Sequence, residues 1–311
     1  RASMGLFQRR SSLGLVGNHI NITSGEWTHK DAGIGSGIDS FYEYLFKAFM
    51  LFRDPDAWLM FNESRSAILK WLYKPPWYIE VHMFNGMTVW PIYNSLQAFW
   101  PGTQALAGNL LQAKETVRAM HGIWRRFGAV PEGFNLLNGK VQPGQASYPL
   151  RPELAESIFY LYQSTHDPTF LHMGRDMVYA INSRSRTTCG YATIEDVESN
   201  GLSDRMESFF LSETVKYLYL LFDRDNCFNK QYVFTTEGHP MPIRASYTKY
   251  SGYKARPMRQ APSTLKAIPS QSLPPLQYPA ITKKDVQCSR ASYWRRIGVC
   301  EMEIKMDSNG E

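Results

Sequence analysis

Apolar residues recur along this chain mostly three and four apart, the period of helices that bury one face. Asp39 precedes the run SFYEYLFKAFMLF and is expected to cap a helix there. A second helix is expected over residues 56–73, after Asp54-Pro55. Residues 77–83 alternate like a short strand, and Gly86 and Pro91 break the chain around it. A short helical piece follows over 95–100, then one long helix or two abutting ones over 104–127. Further helices are expected at 152–164, 168–183 and 206–222, and short strands at 189–193 and 232–235. Residues 1–38 read as mostly irregular, and 128–149 as a loop region.

The order is helix, helix, short β element, repeated with short loops. No βαβ alternation suits a parallel sheet. The pattern is an all-α array of antiparallel hairpins, for which an α/α barrel or toroid is the natural closure.

One helix start carries an unusual polar set. In YPLRPELAESIFYLY, Pro149 and Pro152 hold the entry extended. Leu154, Ile158 and Leu161 make one apolar face, while Glu153, Glu156 and Tyr160 share another. Arg151 stands just outside. Acids in a first turn can simply complement the helix dipole. They can equally line a pocket.

Composition changes the picture in few places. Aromatic residues reach 14%, which suits packed helices and also sugar-binding walls. The net charge of +6 is unevenly spread: from Arg244 onward 12 Lys and Arg face 5 Asp and Glu, leaving 1–243 slightly acidic. No basic stripe interleaved with aromatics marks a nucleic-acid partner. No apolar run is long enough to span a membrane; Glu43 and Lys47 interrupt the nearest, 42–52. Residues 244–311 are rich in Pro, Ser and Lys without periodicity and read as a largely disordered basic tail. The motif Tyr293-Trp294-Arg295-Arg296 within it could be a short docking element. Alternating Gly33, Gly35 and Gly37 lack the strand and Gly-Lys-Ser/Thr of a phosphate loop, so close backbone approach is the expected role. Two sequons, at Asn21 and Asn62, are compatible with a secretory compartment. With sequons, no signal-peptide pattern and an Arg-Ala-Ser start, the chain reads as lacking an N-terminal part.

Nearly every element boundary pairs an acid with an aromatic residue or Arg. Gathered at one rim, such acids would suit a hard cation held by oxygens, or glycoside hydrolysis by a carboxylate pair. Spread around a surface, they would be solvated charges.

The segments DAGIGSGIDSFYEYL, PEGFN, YPLRPELAES, CGYATIEDV, DRMESFFLSETVKYLYLLFD and FTTEGHP resemble glycoside hydrolase family 47, the class I α-1,2-mannosidases. Within that family they are most similar to the ER degradation-enhancing branch, over roughly residues 12–243. The resemblance implies an (α/α)7 barrel with Ca2+ at its base, and inverting hydrolysis of α-1,2-linked mannose from high-mannose N-glycans. It implies catalytic roles for Asp39, Glu132 and Glu153, with Glu153 the base that activates water. It implies that Thr236 holds Ca2+ through its hydroxyl and carbonyl. Arg151, Glu156, Phe209, Glu213 and Glu237 match residues that line the sugar subsite or hold the ion's waters.

Two departures qualify this. The family's N-terminal Phe-Glu-Thr motif is absent, and with it one acid and about half the barrel's inner wall, so the 311 residues alone are expected to turn over little. Gly37-Ile38-Asp39 stands where the processing enzymes carry Arg-Ala-Asp, as in the degradation-enhancing branch. The implied setting is the endoplasmic reticulum, in the lumen or at the lumenal membrane face. The implied partners are high-mannose N-glycans on misfolded glycoproteins and a disulfide isomerase. Cys189 lies in the branch's CGYA-like motif, which implies a disulfide to the missing N-terminal part. On this reading 1–243 is the C-terminal part of the barrel and 244–311 the tail. A mannose-binding, lectin-like degradation factor and an inactive truncated product are the alternatives.

Overall fold

The computed structural model describes residues 2–228 and 231–243. The expected tail at 244–311, with its YWRR motif, lies outside the described residues. The described part is built from α-helices α1 (Ala2–Gln8), α2 (Asp39–Phe52), α3 (Pro55–Trp71), α4 (Trp100–Leu106), α5 (Leu110–Phe127), α6 (Glu153–Thr165), α7 (Thr169–Arg184) and α8 (Lys216–Phe222). Short antiparallel strand pairs and triplets close the loops between them. No helix among the described residues is long and apolar enough to cross a membrane.

Helix α6 is the hub and packs against α4, α5, α7 and α8. Every residue from Leu154 to Leu161 is buried, so the apolar face read from the sequence is widened by Ala155, Ser157 and Phe159. The crossing with α4 is close because both sides are small. A Cβ on Gly102 would meet Ser157 Oγ and the Tyr160 ring at 3.1 Å. Gly102 N–H instead donates to Ser157 Oγ at 2.8 Å, and that hydroxyl donates to the Ala98 carbonyl. A second core lies between α2, α3 and α4, where Phe46, Phe61, Trp100, Tyr42 and Tyr78 stack edge-on and tilted.

Asp54 caps α3, accepting the Asp56 N–H at 2.9 Å. The long pattern at 104–127 resolves into α4 and α5, with Gly108 at φ +83° between them. Gly33 and Gly35 allow the close approach expected of them: a Cβ would meet Glu80 Cγ at 2.9 Å and Gln97 Cγ at 3.0 Å.

The structure corrects four expectations. Residues 2–8 are helical rather than irregular, because Phe7 is buried and Met4 and Leu6 pack on the core. The strand expected at 189–193 is Thr193–Asp196, since its partner Gly201–Ser203 lies opposite those residues. Asp39 is the first residue of α2 and not its cap. The turn begins at Gly35, whose carbonyl already takes the Asp39 N–H at 3.1 Å, and the N-cap Ile38 supplies no side chain. The helix expected over 206–222 has a wide π turn at Phe210–Val215 before α8. Thr214, in that turn, donates to the Leu150 carbonyl at 2.7 Å, which ties the turn to the entry of α6.

Candidate active site

The loop acid Glu132 and the α6-entry residue Arg151 meet across a short sheet. Strand Ile92–Asn94 pairs with Gly133–Asn135, and Ser95 N–H donates to the Glu132 carbonyl at 3.1 Å. Glu132 N–H donates to Ser147 at 2.9 Å, which fixes the loop on the other side. Arg151 Nε donates to Glu132 Oε1 at 2.5 Å and Nη2 to Oε2 at 2.7 Å, a two-pronged fork. Ser95 adds a hydrogen bond to Glu132 Oε1 at 3.1 Å. The guanidinium carbon lies 5.9 Å from the centre of the Phe209 ring. Arg151 is therefore held in one orientation with its third nitrogen still available.

That nitrogen, Nη1, points towards Glu153, whose Oε1 is 3.9 Å away. Glu153 opens α6, and its Oε2 is buried without a hydrogen-bond partner. Burial pushes its carboxyl up to about 8, against the pull of Arg151, with Glu213 and Glu132 adding repulsion. An unpartnered oxygen of raised basicity is what a water-activating base requires. Asp39, at the start of α2, accepts Ser40 N–H at 2.8 Å. Burial raises its carboxyl too, Ser40 opposes this, and the charges of Glu43 and Arg151 both reach it.

Behind Glu153 lies a buried charged cluster. Lys47 Nζ contacts Glu43 Oε1 on its own helix and Glu156 Oε1 on α6 at 3.6 Å. Tyr217 donates to Glu156 at 3.3 Å. Burial raises the Glu156 carboxyl against the opposing charge of Lys47. Glu213, turned inward by the π turn, is raised to about 7 by burial, against Lys216, with Glu43 and Glu237 adding repulsion. Glu156 and Glu213 thus lie close enough for their charges to interact. Glu237 lies farther out, exposed on the turn after strand Tyr232–Phe234, 3.8 Å from His239.

Thr236 precedes Glu237 and shares a 2.7 Å hydrogen bond with Tyr44 of α2, whose phenol also accepts the Thr236 N–H at 3.2 Å. Among the described residues no three acidic, His or Cys side chains converge closely enough to hold a metal by themselves. The donors around Thr236 are a hydroxyl, a phenol and the carboxylates of Glu237 and Glu213, whose charges interact. An oxygen-rich set with few direct ligands fits a hard cation that keeps most of its water, and the Lys216 ammonium, on the Gly238 carbonyl beside Glu213, is the positive charge the structure itself places there.

Several residues of this site escaped the sequence reading. Glu43 and Lys47 stood out only as interruptions of an apolar run. An i,i+4 charge pair inside such a run signals a buried ion pair. Tyr44 and Tyr217 carried no signal. A cleft of about 420 Å³ beside the Glu132–Arg151 fork is also lined by Glu195, Arg205 and Glu207 from an adjacent hairpin. All three lie within segments that carry the family resemblance, and none was assigned a role from the sequence.

The family model described as glycosyl hydrolase family 47 matches residues 2–243. Alpha-mannosidase I MNS4 of Arabidopsis thaliana is 53% identical over 249 residues, which is 78% of this chain and 40% of that protein. ER degradation-enhancing alpha-mannosidase-like protein 2 of Homo sapiens is 43% identical over 260 residues, 77% of this chain and 45% of that protein. The chain therefore spans less than half the length of these relatives. Among solved structures, the alpha-1,2-mannosidase from Trichoderma reesei superposes with a TM-score of 0.62 at 26% identity, covering 74% of this chain and 56% of that one. The helical hairpins described above are an incomplete (α/α)7 barrel.

Proposed function

The chain belongs to glycosyl hydrolase family 47, and on that premise we propose that it carries much of the active site of an inverting α-1,2-mannosidase. Its substrate is the terminal mannose of high-mannose N-glycans, removed in the endoplasmic reticulum from misfolded glycoproteins that are marked for disposal. A disulfide isomerase is the proposed protein partner. The observation that carries the reading is the Glu153 carboxylate: one oxygen faces Arg151 and the other is buried and unpartnered.

In this reading Glu153 takes a proton from the attacking water. The Glu132–Arg151 fork holds the guanidinium against the sugar, and the Phe209 ring lies beneath it. Asp39 and Glu132 supply the remaining acids on the other side of the bond. An inverting pair must leave room for water, so the working carboxyls are expected roughly 6.5–9.5 Å apart. Glu156 and Glu213 receive sugar hydroxyls or ordered waters from below. Ca2+, held at Thr236 with Glu237 close by, would supply a fixed positive charge that favours a distorted sugar ring.

The test is mannose release from a high-mannose N-glycan in Ca2+, with protein in excess so that slow turnover is readable. Release that Glu153→Gln abolishes supports the reading. Release indifferent to that substitution removes Glu153 from its role. Glycan bound by both chains and cleaved by neither points to a lectin-like factor instead.

A further inference from the structure

Two imidazoles meet on the outer side of a hairpin to which the proposed function gives no task. Strands His19–Ile20 and Trp27–His29 pair antiparallel, with His19 opposite His29 and Ile20 opposite Trp27. One step along the first strand is thus matched by two along the second, and Thr28 is the extra residue of a β-bulge. An unbroken strand would turn Trp27 and His29 to the same side. The bulge separates them. Trp27 is buried, its indole N–H donating to the Arg9 carbonyl at 2.7 Å, while Thr28 and His29 both face solvent. His29 is thereby delivered beside the exposed His19, and the two ring centres stand 4.4 Å apart with their planes at 53°.

The backbone under both rings is fixed. Asn18 N–H donates to the His29 carbonyl at 3.2 Å, and the Thr28 hydroxyl donates to the His19 carbonyl at 3.2 Å. Asn21 N–H donates to the Glu26 carbonyl at 2.9 Å and Gly25 N–H to the Asn21 carbonyl at 2.7 Å, which closes the connecting loop. A ligand therefore has only the histidine side-chain torsions left to order, and little entropy opposes it.

The spacing is that of a chelate. An imidazole nitrogen bound to a metal at about 2.0–2.1 Å puts the metal roughly 3.2 Å from the ring centre. Two such rings with centres 4.4 Å apart meet at the metal at roughly 90°. A tetrahedral angle would need centres about 5.2 Å apart. Imidazoles at a right angle suit the tetragonal ions Cu2+ and Ni2+, and Cu2+ leads the affinity order of the divalent series. Ca2+ prefers oxygen and gains little from two ring nitrogens.

We propose that His19 and His29 form a two-histidine site for a tetragonal divalent transition ion, Cu2+ before Ni2+. Water fills the remaining positions, since among the described residues no group of three His, Cys or acidic side chains gathers around one point. The bound ion staples the two strands across the bulge. This site is independent of the mannosidase reading.

The test is calorimetric titration of the chain with CuCl2, NiCl2 and ZnCl2 at neutral pH in a weakly coordinating buffer. The wild type is set against His19→Ala, His29→Ala and, as a control, His172→Ala on α7. All three side chains are exposed, so the fold should tolerate the changes, and circular dichroism checks this. The expected result is one Cu2+ held at about micromolar Kd, weakened at least tenfold in either hairpin variant and unchanged in the control, with each tenfold worth about 1.4 kcal/mol. Ni2+ should bind more tightly than Zn2+, and electron paramagnetic resonance of the Cu2+ form should show two imidazole nitrogens. Cu2+ affinity unchanged in both hairpin variants overturns the site. Loss in only one of them, or a single coupled imidazole, overturns it too, because the pair then does not act as a chelate. Zn2+ binding more tightly than Ni2+ contradicts the right-angle geometry on which the site rests.

Discussion

Replacing Glu153 by Gln should stabilise the protein while it disables the site. In the fold the Glu153 carboxyl is raised from 4.5 to about 8, mainly by burial. The folded state therefore holds a proton that the unfolded chain gives up between those values. Stability falls as pH rises through this window and levels off above the folded value. Each pH unit costs about 1.4 kcal/mol, so at pH 7 the full penalty is about 3 kcal/mol. The 16% of side-chain surface left to solvent trims this towards about 2 kcal/mol. Gln keeps the shape and carries no charge. It gives up the loose 3.9 Å contact with Arg151 and part of the pull of Glu153's own backbone N–H on the carboxylate, while the Oε2 position has no hydrogen bond to lose. For a fold of this size, about 2–3 kcal/mol corresponds to a rise in Tm of roughly 5–10 °C. The assay is differential scanning fluorimetry of both chains from pH 4.5 to 8.5. The Tm difference should be near zero at pH 4.5 and grow steadily to about pH 8. A difference that is flat with pH, or that favours the wild type at pH 8, refutes the claim that Glu153 is a desolvated carboxyl.

Three further outcomes rest on the same packing. Lys47→Met leaves Glu43 and Glu156 without their buried cation, and should cost about 3–5 kcal/mol in urea unfolding at pH 7.5. Gly102→Ala pushes a methyl into Ser157 and Tyr160 across the α4–α6 crossing, and should lower stability by about 1–3 kcal/mol in the same experiment. Expressed through a secretory route, the protein should carry one N-glycan, at Asn21. Asn21 is exposed in a turn, whereas Asn62 lies within α3, bonded to Arg65, with Ser64 of its sequon buried. Intact mass should fall by one glycan on enzymatic deglycosylation or in Asn21→Gln.

The sequence disclosed the parts of this fold that depend on local periodicity. Leu154, Ile158 and Leu161 marked the buried face of α6, and the pattern to either side marked its neighbours. The acids gathered by the structure were also visible one by one, as boundary residues beside aromatics. What periodicity could not show was how one element meets another. The π turn at Phe210–Val215 is hidden because Phe209 and Phe210 are apolar in either register. Only tertiary packing turns Glu213 and Thr214 inward. The Glu43–Lys47 pair stood out only as an interruption of an apolar run because Glu156, the partner of Lys47, is 109 residues away, on α6. Arg205 is held by hydrogen bonds from Thr193 to its carbonyl, and the strand that carries Glu195 is tied down where Ile194 pairs with Tyr148; neither leaves a trace in composition.

The central claim is that Glu153 activates water for inverting attack on an α-mannoside. Proton NMR can test it by following the first product formed from α-1,2-mannobiose, with protein in excess and Ca2+ present. The account predicts that free mannose appears first as the β anomer and only later equilibrates, and that Glu153→Gln yields none. Mannose appearing first as the α anomer, or at an unchanged rate in Glu153→Gln, would contradict it.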